Sequence, residues 1–553
     1  MKLKNLLMKA LFVAFGLCVG LSVWGENTTI GNVDQGWTDN KVEFTLPANN
    51  TLSLDFVVNS TKNTDNYQGW VTQVLHGTDM IFFMQPSCGY AVGAWNWDCN
   101  THIYNENNYD WTGTNFRTNL QNASVAYSLK RVNSQFILTE DVTTSDNKHF
   151  RHYFVYADAN AEDELKIVFG ADAAQLTVTD VTPANVISAS EPLVLTGTLI
   201  GTLNNAKGGI KEQTFETFPL AANGSLTLHF KNYTNKLQIW NNFVVEITDD
   251  THFFDLRGDG AGWQWAENWG EYTTWWNESW RNKTGYPSTD YEYMEAMDGA
   301  DVVVVVTRES SVFNIAATIT PVSGSAFSET YSFTDDNLAS STVYVNLLCE
   351  GGHLDLLPVT KDISSFGWAT FSSDYALDFS KATTGLEAYM ITGHEGNVVK
   401  KSQVTGTVPA GTGLLLKGDA GSYNIPIVGS STTDVSANLM KAGTGAAISA
   451  EGSKTKYVLG VSDNGTAGDT SDDFAEFQKI TATSATVAKG KAYLQFNEVI
   501  SARSLYFEDE VTGIANVEAA AETKANEGKF IDNGKLVIVK NGVKYNVAGA
   551  KLY

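Results

Sequence analysis

LPANNTLSLDF (Leu46–Phe56) decides the fold, because LAANGSLTLHF (Leu220–Phe230) repeats it 174 residues later. Both copies run from a polar turn into strict alternation, Leu-Ser-Leu-Asp-Phe and Leu-Thr-Leu-His-Phe, the period of a half-buried strand. Further matches follow in the same order. Phe82-Phe83 answers Phe253-Phe254, and Trp95-Asn96-Trp97 answers Trp263-Gln264-Trp265. LKIVFGADAAQLTVTDV (Leu165–Val181) answers VYVNLLCEGGHLDLLPV (Val343–Val359). Collinear matches with small insertions indicate a duplicated domain: module one over 26–187 and module two over 188–361.

Both modules read as all-β. The five valines Val302–Val306 suit a central strand covered on both faces, and Phe313–Ile319, Thr330–Phe333 and Val343–Leu348 continue the series. Asn-Gly, Gly-Asp-Gly and Glu-Gly-Gly mark turns, and no segment carries a helical stripe. Many short strands without helices predict two tandem two-sheet, jelly-roll-like β-sandwiches. Residues 362–512 are rich in Gly, Ala, Ser and Thr and predict a smaller β domain. Its strand candidates are Trp368–Phe371, Leu414–Lys417, Tyr423–Val428, Tyr457–Val461 and Ala492–Phe496. Residues 513–553 read as a polar linker, Ala515–Glu527, and a hairpin of Leu536–Lys540 and Val543–Val547 around Asn541-Gly542.

Residues 1–25 read as a signal peptide: three Lys, an apolar run from Ala10 to Val23, and a cut before Glu26. Leu17 before Cys18 is too bulky for a lipid-attachment site, so cleavage without lipid is expected. The formal charge of −25 becomes −28 without that segment, which disfavours nucleic acid and anionic lipid and suits a neutral ligand. The mature chain is expected outside the cell, secreted or on the outer surface, with no membrane insertion. Of its three cysteines, Cys88 and Cys99 are candidates for a disulfide and Cys349 for a buried apolar position. Asp463, Asp469, Asp472 and Asp473 in one loop, and Asp255 with Asp259 and Gly260 in another, are oxygen-rich enough for a structural Ca2+. No cofactor is otherwise expected.

The stretch that carries the chemistry is GWQWAENWGEYTTWWNESWRNKTGYPSTDYEY (Gly262–Tyr293). Trp263, Trp265, Trp269, Trp275, Trp276 and Trp280 stand among Glu271, Asn277 and Arg281, with no aliphatic residue from 267 to 293. Flat indoles stack on the C–H face of a pyranose, while planar polar groups bond its hydroxyls. Module one has a thinner version in Trp95, Trp97, Tyr104, Tyr109 and Trp111, interleaved mostly with amides. Some of the six indoles must pin the segment to the sandwich, and the others would form a glycan platform. A glycosidase needs two carboxyls at defined separation. Glu267 and Glu271 are one pair to consider, whereas Glu292 and Glu295 would face opposite ways on a strand. There is no GxSxG motif and the eight His are scattered, so His149 and His152 read as a solvated strand face. No catalytic residue is assigned.

GWATFSSDYALDFS (Gly367–Ser380), VPAGTGLLLKG (Val408–Gly418), KGKAYL (Lys489–Leu494) and TGI (Thr512–Ile514) resemble the carboxy-terminal part of many secreted proteins. These come from polysaccharide-degrading Gram-negative bacteria that use type IX secretion. GKLVIVKNGVKYNVAGAKLY (Gly534–Tyr553) is similar to their terminal sorting or anchoring segment. MDGADVVVVVTRESSVFNIAATIT (Met297–Thr320) and LQNASVAYSLKRVNSQFILTEDVT (Leu120–Thr143) resemble the jelly-roll carbohydrate-binding and laminin-G-like modules of the same secretomes. The resemblance implies glycan binding and carries over no defined site. The expected function is non-catalytic glycan binding. The alternatives are an adhesin or structural surface protein that docks protein partners, and an undescribed glycosidase or lyase.

Overall fold

The computed structural model describes residues 27–37, 41–65, 67–86, 88–91, 94–96, 103–105, 114–132, 134–158, 160, 162–188, 197–201, 216–258, 262–266, 272–274, 281–463, 473–481, 485–507, 528–532, 535–540, 543–545 and 551–552. For 88–91, 94–96, 103–105, 262–266, 272–274 and Arg281 the description is of the backbone. Residues 1–357 and 358–553 form two compact units.

Module one contains β1 (Thr28–Ile30), β2 (Lys41–Leu46), β3 (Asn50–Thr61), β4 (Gly69–His76), β5 (Asp79–Gln85), β6 (Cys88–Ala91) and β7 (Ala94–Asn96). It continues with β8 (Ile103–Asn105), helix α1 (Thr114–Asn119), β9 (Ala123–Val132), β10 (Gln135–Thr143), β11 (His149–Ala157), β12 (Leu165–Asp172), β13 (Ala174–Val178) and β14 (Val186–Ser188). Module two contains β15 (Thr198–Gly201), β16 (Glu216–Leu220), β17 (Ser225–Thr234), β18 (Phe243–Thr248), β19 (His252–Arg257), β20 (Gly262–Ala266) and β21 (Tyr272–Thr274). After these come β22 (Arg281–Thr284), helix α2 (Asp290–Met297), β23 (Ala300–Glu309), β24 (Val312–Thr320), β25 (Phe327–Thr334), β26 (Val343–Cys349) and β27 (Gly352–Leu356).

The two modules share one strand plan. In module one the sheets run β1-β13-β3-β9-β10-β11-β8, with β14 also on β3, and β2-β12-β4-β5-β6-β7. In module two they run β15-β27-β17-β23-β24-β25-β22 and β16-β26-β18-β19-β20-β21, the same order position by position. The fold is all-β and of sandwich type, with no sheet closed into a barrel. Alternate residues face inward: Leu52, Leu54 and Phe56 in module one, and Leu226, Leu228 and Phe230 in module two, are all buried.

Register corrects two expected correspondences. A bulge between Val74 and Leu75 shifts β5 by one residue, so Phe82 opposes Val74 as Phe254 opposes Ile247. Phe82 packs on Phe154 and Tyr156, and Phe254 on Tyr331 and Phe333. Phe82 therefore matches Phe254, not Phe253. Likewise Trp263 on β20 matches Tyr90 on β6, whereas Trp95 lies one strand further out on β7.

The valine run is also not covered twice. Val302, Val304 and Val306 are in the core, but Val303 and Val305 remain partly exposed on the open face of the sheet. Branched side chains favour the extended backbone even when only one face is buried. The strand covered on both faces is β18, FVVEIT.

Each module closes its longest hairpin with a buried arginine at equivalent positions. Arg131 donates from Nη1 to the Leu46 carbonyl at 2.9 Å, and Arg308 to the Leu220 carbonyl at 3.2 Å. Both guanidinium groups lie 5.7 Å from the centroid of a phenylalanine ring, Phe136 and Phe313 respectively. Arg131 also pairs with the buried Asp158 at 2.8 Å, whereas Arg308 bonds backbone carbonyls, among them Ser310 and Leu338.

Two short helices interrupt the expected all-strand pattern. Helix α2 starts in a capping box: the Thr289 hydroxyl accepts from the Glu292 amide, and the Glu292 carboxylate accepts from the Thr289 amide. Glu292 and Glu295, expected on opposite faces of a strand, therefore sit on this helix. Glu292 caps it, and Glu295 pairs with Arg151 of module one. Tyr291 stacks on His149 at 3.8 Å between centroids, and Met294 packs with Leu237 and Tyr153. His152 is buried beside Glu140, which also accepts from the Trp70 indole at 2.5 Å. Neither histidine lies on a solvated face.

In residues 358–553, Trp368–Phe371, Leu414–Lys417, Glu387–Glu395 and Val398–Val404 form one sheet. Met440–Ala442, Ala492–Phe496, Thr455–Ser462, Phe474–Lys479 and Ser504–Leu505 form another. Trp368, Leu415, Tyr457, Phe477 and Phe507 share a core. Pro426 splits the expected strand Tyr423–Val428 into Gly421–Ile425 and Ile427–Val428. Val359–Ile363 pairs with Gly421–Ile425 and straddles the boundary expected after residue 361. The terminal hairpin gains a third strand, Gly528–Asp532 on Lys535–Lys540, with Val543–Tyr545 on the other side.

Candidate functional site

The Trp-rich segment begins on β20 and β21 of the six-stranded sheet and ends on β22 of the seven-stranded sheet. Its path crosses from one sheet of the sandwich to the other. In module one the aromatic segment makes the same crossing, between β7 and β8. Trp263 is the register partner of Asp255 and Trp265 of Phe253; Arg281 pairs with Tyr331. In module one Trp95 pairs with Tyr90, and Tyr104 with Arg151. Trp269, Glu271, Trp275, Trp276, Asn277, Trp280, Trp97, Tyr109 and Trp111 lie outside the described residues, as do Glu267, Cys99, Asp259 and Gly260. Cys88 is on β6, and the disulfide expected with Cys99 therefore also falls outside them.

Beside Trp263 the sheet carries a line of polar residues on the face turned away from the core. Thr217, Asn346, Glu246 and Asp255 are cross-strand partners on β16, β26, β18 and β19, with Trp263 next on β20. At about 4.8 Å per strand the row spans roughly 19 Å. The Thr217 hydroxyl donates to Asn346 Oδ1 at 2.7 Å, and Asn346 Nδ2 donates to Glu246 Oε1 at 2.6 Å. Glu246 is 2% exposed and Asp255 0%. The two carboxyl groups are neighbours across the β18–β19 register, and burial pushes Glu246 above the usual carboxylate range. Asn346 and Asp255 act in the opposite direction, but burial wins. Two buried neighbouring carboxyls cannot both hold a charge cheaply, which favours the protonated form of Glu246.

Further along β19, the Arg257 guanidinium stands 5.7 Å from the centroid of the Trp240 ring, which is 37% exposed, and 3.7 Å from Glu350. Cation, indole and carboxylate thus converge two residues from the acidic pair, on the same side of the strand.

Of this group only Asp255 was singled out from sequence, and as a calcium ligand. Among the described residues no cluster of three acidic, His or Cys side chains forms a cation site. Asp463 and Asp473 border the undescribed residues 464–472. The signal for Glu246 was present: it is the single charge within the apolar run Phe243–Ile247. Cys349 is buried and its thiol is pushed up by that burial, as its apolar neighbours suggested.

Comparison with known proteins returns no matching family model and no matching curated relative.

Proposed function

We propose that this is a non-catalytic glycan-binding protein, secreted or displayed on the outer cell surface, with its principal site on module two. The observation that supports the reading is the register of β20. It sets the start of the Trp-rich segment against a row of hydroxyl, amide and carboxyl groups. Indoles supply the stacking surface, and the polar row, buried from Asn346 to Asp255, supports the strand that presents them. The formal charge of −25 favours an uncharged ligand and opposes nucleic acid. No helix among the described residues is long and apolar enough to cross a membrane. The type IX secretion-like carboxy-terminal segment supports export by that route.

Glu246 and Asp255 raise the alternative of a glycosidase. Retaining enzymes hold their carboxyls about 5–5.5 Å apart and inverting ones further. A solvent-excluded pair on neighbouring strands leaves no room for the sugar, so its role here is positional. The adhesin alternative lacks such a supporting feature.

The test is a glycan array with the full chain, followed by affinity electrophoresis of Trp263→Ala and Trp276→Ala on soluble β-glucan, xylan and galactan. Parent binding of micromolar to millimolar strength, about −4 to −8 kcal/mol, with loss in at least one tryptophan variant, is expected. Absence of any glycan ligand for the parent would overturn the function. Undiminished binding by both variants would overturn the site.

A further inference from the structure

The open face of the seven-stranded sheet in module two is uncharged at its centre. Asn282, Thr330, Ala316 and Val305 form one row across β22, β25, β24 and β23. Ser332, Asn314 and Thr307 form the next. Between them lies a shallow depression of about 260 Å3 with no carboxylate, ammonium, guanidinium or imidazole group in its lining. That is a little below the roughly 300 Å3 at which pockets begin to enclose a whole small ligand. It suits one or two units of a longer chain lying across the sheet.

The duplication shows what this face does elsewhere. In module one, β11 presents His149, Arg151 and Tyr153, and module two docks there through Tyr291, Met294 and Glu295. At the matching positions module two has Ala326, Ser328 and Thr330. The stacking, ion-pairing and apolar anchors are all absent, so the face is not built to receive another repeat. Asn314, Ala316, Thr330 and Ser332 are exposed. Small hydroxyls and amides around a floor that includes Val305 and Ala316 complement both the hydroxyls and the C–H face of a sugar ring.

We infer that this depression is a second glycan subsite, apart from the Trp-rich segment, taking units of a neutral polysaccharide. The inference rests on the glycan reading of that segment. Asn282 lies on β22, the strand that follows the Trp-rich segment in the chain.

The experiment uses the full chain and the soluble neutral glycan that the parent binds best, with polygalacturonate as the anionic control. Three variants are compared: Asn282→Ala/Asn314→Ala, Thr330→Tyr and Trp263→Ala. Losing two neutral hydrogen bonds should weaken binding about tenfold. Thr330→Tyr, which installs the module-one residue, should weaken it at least as much by filling the depression. Circular dichroism melting should leave the two face variants near the parent, because the altered side chains on the open face are exposed. Loss in Trp263→Ala with parent affinity in both face variants overturns the subsite and leaves the function standing. Loss only in the face variants supports the subsite and overturns the tryptophan assignment. A parent that binds no glycan overturns both, and one that prefers polygalacturonate overturns the neutral class.

Discussion

Modules one and two place different residues at the same points of one strand plan. The row Thr217–Asn346–Glu246–Asp255–Trp263 of module two is Glu43–Val168–Gln73–Phe83–Tyr90 in module one. Phe83 is buried, with Trp37 packed edge-on against it at 5.5 Å. Module one has made this face a satellite core. Its other face is occupied as well, by module two. Module two keeps both inner faces apolar and spends its outer positions on hydroxyls, amides and acids. Core-facing alternation is therefore what the duplication preserves, and the outer faces are where the copies have diverged. The same divergence extends to the docking anchors. The α1 positions matching Tyr291, Met294 and Glu295 are Thr114, Arg117 and Thr118, so neither free end retains the docking anchors.

The buried arginines offer the largest contrast. Arg131→Met strands the Asp158 carboxylate, which is as buried as its partner, and should cost about 3–5 kcal/mol. Arg308→Met leaves only carbonyl oxygens short of a donor and should cost about 1–3 kcal/mol. Urea denaturation of both variants checks this. Equal losses would mean that Asp158 finds another partner, and the distinction between the two clamps would fail.

The next effect is at the junction. Arg151 is 1% exposed, lies over the Tyr291 ring and bonds Asp141, Glu295 and the Lys236 carbonyl. Arg151→Ala should cost about 2–3 kcal/mol and separate the modules into two calorimetric transitions. Ser328→Ala, its counterpart on the open face, should change stability by less than about 0.5 kcal/mol. A single unshifted transition in Arg151→Ala would show that the junction is held by apolar contact alone.

Much of this plan was legible in the sequence, because side-chain alternation and repeat spacing are local properties. Trp368–Phe371, Leu414–Lys417 and Ala492–Phe496 are strands with the bounds expected. The duplication came from LPANNTLSLDF, but pairing Trp95 with Trp263 failed because residue likeness says nothing about register. Helix α2 was missed although Thr289 and Glu292 spell a capping box. Its eight residues are too few for periodicity to stand out. The arginine clamps lay within stretches already quoted, yet Arg131 and Arg308 act on carbonyls 85 and 88 residues away. Glu246 and Asp255 meet only once the β18–β19 hairpin register is known. Of the candidate site, sequence supplied the aromatic half and missed Trp240, Arg257 and the polar row beneath.

The smallest effect is on the acidic pair, and it has a definite sign. Glu246 is held above the ordinary carboxyl value, about 4.3, so the folded chain retains a proton that the unfolded chain releases. Its contribution to stability is fully present below that value and is lost as pH rises through the raised folded value. Glu295 works in the other direction. Burial pushes it up, but Arg151 and Lys236 more than offset this and hold it below its usual range, so its contribution is lost as pH falls. A difference between parent and variant removes that common background. Glu246→Gln restores the residue that module one carries at Gln73. Its amide can donate to Asp255 without a titrating proton and still accept from Asn346. The variant should match or fall below the parent near pH 4 and exceed it by about 1 kcal/mol at pH 7. Melting temperatures from pH 4 to 8 measure the difference. A curve that is flat, or that falls toward neutral pH, would mean that the fold does not raise Glu246. The polar row beside Trp263 would then need a different account of its charge.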